Sequence, residues 1–149
     1  MIALLQRVTE AQVDVGQETV GHIGPGLLVL LAVEPADDES ATERMIDRVL
    51  RYRVFDDSTG RMNLSVLDSL GGVLLVPQFT LAADTRKGLR PSFTSAAAPE
   101  HGRAMFDYAV GYARAALGDR LATGRFGAHM RVSLVNDGPV TFRLYTPSA

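Results

Sequence analysis

The sequence predicts an α+β fold: a single domain over residues 1 to 149, with a barrel-like, strongly curved mixed sheet and two main helices. Three observations lead there. The 149 residues suffice for one real core and not for two, and no linker, repeat or low-complexity stretch divides them. Several short apolar or alternating runs read as strands, yet they do not alternate regularly with helices as a doubly wound sheet requires. Only two segments carry apolar residues at helical spacing.

In chain order, "IALLQRV" and "AQVDV" read as strands, followed by a turn at Gly16-Gln17-Glu18 and a strand in "TVGHI". After Gly24-Pro25-Gly26 the run "LLVLLAV" is continuously apolar, which implies burial on both faces and a central position. Ser40-Ala41-Thr42-Glu43 has the form of a capping box, and Met45, Ile46, Val49 and Leu50 follow at helical spacing, predicting a helix over about residues 40 to 53. "DDSTG" ends it in a turn. A short segment around Met62-Asn63-Leu64 leads to Gly71-Gly72 and "VLLVPQFTL", a buried strand until Pro77, then a loop from Ala82 to Ser95. Pro99 opens the second helix, with Met105, Tyr108, Ala109, Tyr112, Ala116 and Leu117 assigned to its apolar face, and Gly118 closes it. The strands "HMRVSLV" and "VTFRLY" flank Gly138-Pro139. A Gly-Pro pair between strand-like runs reads equally as a hairpin turn or a bulge.

Composition excludes whole classes. The chain has no cysteine, hence no disulfide, thiolate nucleophile or cysteine zinc site, and no apolar run long enough to span a bilayer. "MIALLQRV" lacks the pattern of a signal peptide, so cytoplasm is the expected compartment, with no membrane association. A net charge of -2 argues against holding nucleic acid by bulk electrostatics. Any such contact is local, and the candidate patch is Arg86, Lys87 and Arg90 in "DTRKGLRPS", which reads equally as a solvated loop.

The usual catalytic signatures are missing. There is no phosphate-binding loop, no dinucleotide fingerprint, no zinc-protease helix and no nucleophile elbow. His22, His101 and His129 are isolated in sequence and read as surface or strand residues; Asp37-Asp38 and Asp56-Asp57 read as helix- and turn-stabilising carboxylates. No metal or other cofactor is expected. An enzyme of this composition has to stabilise charge with backbone N–H groups and small hydroxyls.

Two stretches stand out beyond fold. "PQFTLAADT" ends a buried strand with Gln78, Phe79 and Thr80, an amide, a ring and a hydroxyl in succession; "SLVNDGPVTF" contains Asn136, Gly138, Pro139, Val140 and Thr141. Together with "QRV" at Gln6 to Val8, "RPSF" at Arg90 to Phe93 and "FGAHM" upstream of the last strand, they resemble the D-aminoacyl-tRNA deacylases from the first strand to the last. The resemblance implies a homodimer with two active sites at the subunit interface and an esterase acting on the aminoacylated 3′ end of tRNA; because glycine has no side chain to exclude, glycyl-tRNA, such as glycine mischarged on the alanine tRNA, is expected to be cleaved as well. The resemblance also implies that the Gly138–Pro139 bond is cis and enters the neighbouring subunit's pocket. There Gln78, Phe79 and Thr80 form the floor, and Arg7 holds the Gly-Pro element. Position 77 is Pro where the family usually has Ser, while Arg7 and Phe79 match its strictly D-specific branch.

The residue types suit that assignment. An X-Pro bond adopts cis at modest cost, glycine lets backbone approach a ligand closely, and a rigid main chain against the α-carbon excludes an L side chain without reading the D one. Backbone amides near Phe79 and Thr80 are the candidate oxyanion donors, with Thr80 placing water or acting as a nucleophile. Two other classes remain open on the residues alone: a nucleic-acid-binding module without chemistry, and a structural dimeric domain in which Gly138-Pro139 is a trans turn.

Overall fold

A computed structural model describes residues 1 to 148. Its strands are β1 (Ile2–Val15), β2 (Glu18–Ile23), β3 (Gly26–Ala32), β4 (Phe55–Asp56), β5 (Met62–Leu64), β6 (Gly72–Pro77), β7 (Leu121–Thr123) and β8 (Arg131–Tyr145); its helices are α1 (Glu39–Arg51), α2 (Val66–Ser69) and α3 (Pro99–Leu117). Six strands form one mixed sheet in the order β2-β1-β3-β6-β7, with β8 on β1, while β4 and β5 make a separate ribbon. β1 pairs antiparallel with β2, β3 and β8, and β3-β6 and β6-β7 are parallel.

The two predicted opening strands are one continuous β1, bent at a bulge. Val8 pairs with Asn136 and Glu10 with Val135, so Thr9 is an extra residue. The inward face changes parity there. Ala3 and Leu5 face the helices, whereas Val8, Ala11 and Val13 join a second cluster with Ile23, Leu28, Leu74 and Val76. This bend curls the sheet until β2 meets β7, where a Cβ on Gly21 would lie 2.6 Å from the Thr123 carbonyl.

The apolar run of β3 is buried on both faces because it lies between β1 and β6. Leu27, Val29 and Leu31 pack under α1 and α3, while Leu28 enters the second cluster; β6 repeats the division with Val73 and Leu75 against Leu74 and Val76. Gly26 pairs with Gly72, and a Cβ at 26 would overlap the Gly72 carbonyl, so this strand start requires glycine.

Two helix details differ from the sequence reading. The N-cap of α1 is Asp38, which accepts from the Ala41 N–H at 2.8 Å, so Ser40 lies inside the helix and its capping box does not form. On α3 the buried stripe is Gly102, Phe106, Ala109, Ala113 and Leu117. The assigned face was rotated: Ala116 is exposed, and Tyr108 and Tyr112 lie half-buried on the flank. There the Tyr108 hydroxyl donates to Glu43 at 2.5 Å and Tyr112 to Asp47 at 3.2 Å, so each ring keeps an apolar body against the helix pair and a polar tip on an α1 carboxylate. No helix among the described residues is long and apolar enough to cross a membrane.

Candidate active site

The interruption in the last strand is neither a hairpin nor a strand end. Both halves of β8 pair with β1, Asn136 opposite Val8 and Thr141 opposite Gln6, so Asp137, Gly138, Pro139 and Val140 bulge out opposite Arg7 alone. The Gly138–Pro139 bond is cis, as the resemblance implied. Gly138 has φ +146°, and a Cβ there would lie 2.6 Å from Val140 Cγ2, so no other residue fits without strain.

Side chains from three directions fix this bulge. Asn136 Oδ1 accepts from the Val140 N–H at 2.7 Å, and its Nδ2 donates to Thr141 Oγ1 at 2.8 Å. Val140 turns inward and is buried, while Asp137, Gly138 and Pro139 remain exposed. Arg7, 12% exposed, donates from Nε to the Asp137 carbonyl at 3.0 Å and from Nη1 to the Val54 carbonyl at 2.7 Å, with Asp56 3.4 Å away. The arginine thereby ties the bulge to the chain beyond α1. Asp56, read as a turn carboxylate, belongs to this support.

The other motif sits elsewhere. β6 ends at Pro77 alongside Leu31, the Gln78 N–H donates to the Leu31 carbonyl at 2.8 Å, and a 3-10 turn over Phe79–Ala82 begins at once. The first N–H groups of a helical turn lack intrahelical partners, and those of Phe79 and Thr80 have no acceptor among the described residues. The Gln78 Nε2 amide donates to Thr80 Oγ1. Phe79 is 56% exposed and packs its ring on Phe93 with centroids 5.2 Å apart.

Beside this turn opens a cavity of about 450 Å³. Leu31, Val76, Pro77, Gln78 and Phe79 floor it, Phe106 and Phe126 form one wall, and Gly127 to Met130 form its rim. Phe126 stacks against Phe106 at 6.3 Å, and the Arg103 guanidinium covers its outer face at 4.8 Å. His129 is the one titratable side chain among the lining residues; it is exposed and has no hydrogen-bond partner among the described residues to orient it. None of residues 136 to 141 lines the cavity. Within one subunit, Gln78-Phe79-Thr80 and Asn136-Gly138-Pro139-Val140-Thr141 are therefore two separate assemblies.

Arg86, Lys87 and Arg90 lie in an exposed arch beyond the 3-10 turn. Asp84 receives Arg86 through two nitrogens, at 2.9 and 2.7 Å, which holds the Asp84 carboxyl well below the usual carboxylate range. Sequence reasoning missed the cavity wall and the Val54 carbonyl that holds Arg7. Phe106 was readable from the spacing 102, 106, 109, 113; a backbone carbonyl has no side-chain signature at all.

The arrangement offers free N–H donors, a placed hydroxyl and an aromatic-walled cavity, but no acid–base pair. That is the inventory for stabilising an oxyanion on a substrate that brings its own proton relay. The comparisons agree with this picture. The family model described as D-Tyr-tRNA(Tyr) deacylase matches residues 4–145. A protein named D-aminoacyl-tRNA deacylase from Thioalkalivibrio sulfidiphilus is 62% identical over 147 residues, covering 99% of this chain and 98% of that relative. One of the same name from Azotobacter vinelandii is 61% identical over 144 residues, covering 97% of this chain and 99% of its own. The solved structure titled c-Myc DNA Unwinding Element Binding Protein superposes with a TM-score of 0.94 at 38% identity, covering 99% of both chains. With a family model spanning almost its whole length and curated relatives about 60% identical along it, the chain belongs to the D-Tyr-tRNA(Tyr) deacylase family.

Proposed function

We propose that the protein hydrolyses the ester between a D-amino acid and the 3′ end of tRNA, releasing free tRNA and the D-amino acid, and that it does so as a cytoplasmic homodimer. One observation carries the reading: the cavity lined by Gln78 and Phe79, with Thr80 next to them in the 3-10 turn, is lined by nothing from residues 136 to 141 of its own chain, while those residues hold a fixed main-chain bulge out to solvent. Each subunit supplies half a site. In a dimer, the partner's Gly138-Pro139 meets the α-carbon of a substrate seated in the cavity.

The cavity's two aromatic rings and apolar floor suit the terminal nucleoside, whose base stacks without hydrogen-bond readout. The ester then lies at the 3-10 turn. Water attacks the carbonyl carbon, the oxygen gains negative charge, and the N–H groups of Phe79 and Thr80 donate to it. The ester C–O bond breaks, and the departing ribose oxygen takes a proton relayed by the neighbouring 2′-hydroxyl. Thr80 positions the water. Its oxygen already accepts from Gln78, whereas a nucleophile would need a base drawing its proton away.

Chirality is checked by exclusion. Main chain at Gly138-Pro139 leaves no room for an L side chain, and the D side chain points outward and goes unread, so many D-amino acids are accepted. Glycine has nothing to exclude and is cleaved as well.

The test is deacylation of matched D-Tyr-tRNA and L-Tyr-tRNA by the wild type and by the Gly138→Ala/Pro139→Ala double variant. The expected result is fast loss of the D ester alone from the wild type, with selectivity degraded in the variant. A folded wild type that cleaves neither ester would overturn the reading.

A further inference from the structure

Beyond the 3-10 turn the chain makes a closed arch. Its base is a two-way bridge, Asp84 N–H to the Ser92 carbonyl at 2.8 Å and Ser92 N–H to the Asp84 carbonyl at 3.0 Å. Two contacts tie that base to the site: Phe93 stacks on Phe79 at 5.2 Å, and Ser95 Oγ donates to the Ala82 carbonyl. The arch is thus anchored to the 3-10 turn whose Phe79 lines the cavity. From Asp84 to Ser92 it holds three cations and one carboxylate, net +2 in a chain whose total is -2.

The three cations are not equivalent. Asp84 neutralises Arg86 through its paired hydrogen bonds, whereas Lys87 and Arg90 are exposed and make no ion pair among the described residues. Between them Leu89 stands fully exposed. A lone exposed leucine is ordinary, but one flanked by two free cations gives the apex an apolar face beside its charges.

We propose that this arch grips the single-stranded 3′ tail of the tRNA, with Lys87 and Arg90 on the phosphates immediately 5′ of the terminal nucleoside and Leu89 against the sugar between them. The inference rests on the deacylase reading of the cavity, since a nucleoside with its ester at the 3-10 turn sends its chain out past the turn from which the arch rises. An arch of seven residues between its bridged ends reaches about 10 Å, enough for the first phosphates and short of the paired stem. Arg86, committed to Asp84, braces the arch and adds little contact.

The experiment compares two substrates that share the ester: D-Tyr-tRNA, and D-tyrosyl-adenosine, which has no phosphate. Both are assayed across a salt series for the wild type, Lys87→Ala/Arg90→Ala, Arg86→Ala, and Arg114→Ala, a control charge-matched to Arg86→Ala and about two helical turns along α3 beyond Phe106, the last residue of that helix to line the cavity. The double variant is expected to lose about tenfold in kcat/KM on the tRNA at 0.1 M salt, with a salt dependence shallower by about 1.4 in slope. It retains wild-type kcat/KM on the adenosine ester. Arg86→Ala loses less than the double variant, and Arg114→Ala matches the wild type. Equal losses on both substrates, an unchanged salt slope, or a larger effect of Arg86→Ala would each overturn the proposal. Binding of uncharged tRNA over the same salts reads the arch separately from catalysis. A wild type that cleaves neither ester but binds tRNA through Lys87 and Arg90 would remove the deacylase reading and leave the grip standing.

Discussion

Arg7 shows how much one side chain can carry. It sits in the middle of β1, 12% exposed, donating to the carbonyls of Asp137 and Val54, with its charge offset by the carboxylates of Asp56 and Asp137. Arg7→Ala removes charge-assisted hydrogen bonds and frees the bulge, so it should cost about 2 kcal/mol in denaturant unfolding and reduce discrimination between D- and L-Tyr-tRNA. Retained selectivity would show that Asn136 alone holds the bulge. Thr80 is the second case: with its oxygen accepting from Gln78, Thr80→Ala should lower kcat about tenfold, far from the roughly 10⁶-fold loss typical of an activated nucleophile. Single-turnover assays decide it, and abolished activity in a folded variant would restore the nucleophile. Gly-tRNA tests the exclusion logic directly, because cleavage no faster than the no-enzyme control would mean that the site reads a side chain. At this scale the sequence singled out groups that are side chains, Arg7, Gln78, Thr80 and Asn136 among them. It was silent on the Val54 carbonyl, a main-chain group with no side-chain signature, and it named the N–H groups of Phe79 and Thr80 only through the motif that contains them.

The elements were readable to the extent that burial leaves a pattern. β3 announced itself because both its faces are covered, and α1 because six buried positions recur at helical spacing. α3 was harder. Its two tyrosines look like core residues in a one-dimensional pattern, yet their hydroxyls must reach α1 carboxylates, so the true stripe turned toward Phe106 and the small residues. This interface has a pH signature. The hydrogen bond to Glu43, and after it burial, pushes the Tyr108 phenol up to about 12 from 10.0. Between those values the unfolded chain has lost a proton that the folded one keeps. The stabilisation is therefore complete below pH 10 and disappears as pH rises toward 12. Thermal melts from pH 9 to 12 should show a smaller decline for Tyr108→Phe than for the wild type; parallel declines would mean that the phenol titrates alike in both states. In sequence β8 reads equally as two strands around a turn or as one bulged strand, because a four-residue bulge and a hairpin share the same Gly-Pro punctuation, and only its pairing with β1 on both sides separates them.

The whole molecule presents a problem that a second copy would solve. β8 is 15 residues long and pairs with β1 alone among the described residues, and Val135, Phe142 and Tyr145 stand exposed along it. A long edge strand with exposed apolar side chains invites association, and a symmetric dimer covers such a surface with its own copy. The same strand carries the Gly138-Pro139 bulge, so an interface that hid these residues would also be able to deliver the bulge to a partner's cavity. Mixed dimers separate this arrangement from one in which each bulge serves its own subunit. Let one chain carry Gly138→Ala/Pro139→Ala and keep an intact cavity, so that it cleaves the L ester, and let the other carry Gln78→Ala/Phe79→Ala and keep an intact bulge. After subunit exchange with a large excess of the second chain, almost every working cavity faces a wild-type bulge from its partner. Cleavage of L-Tyr-tRNA per working cavity should then fall toward the wild-type background while D-Tyr-tRNA turnover persists. If each bulge guarded its own cavity, exchange would leave L cleavage unchanged, because the defective bulge and the intact cavity would still share one chain.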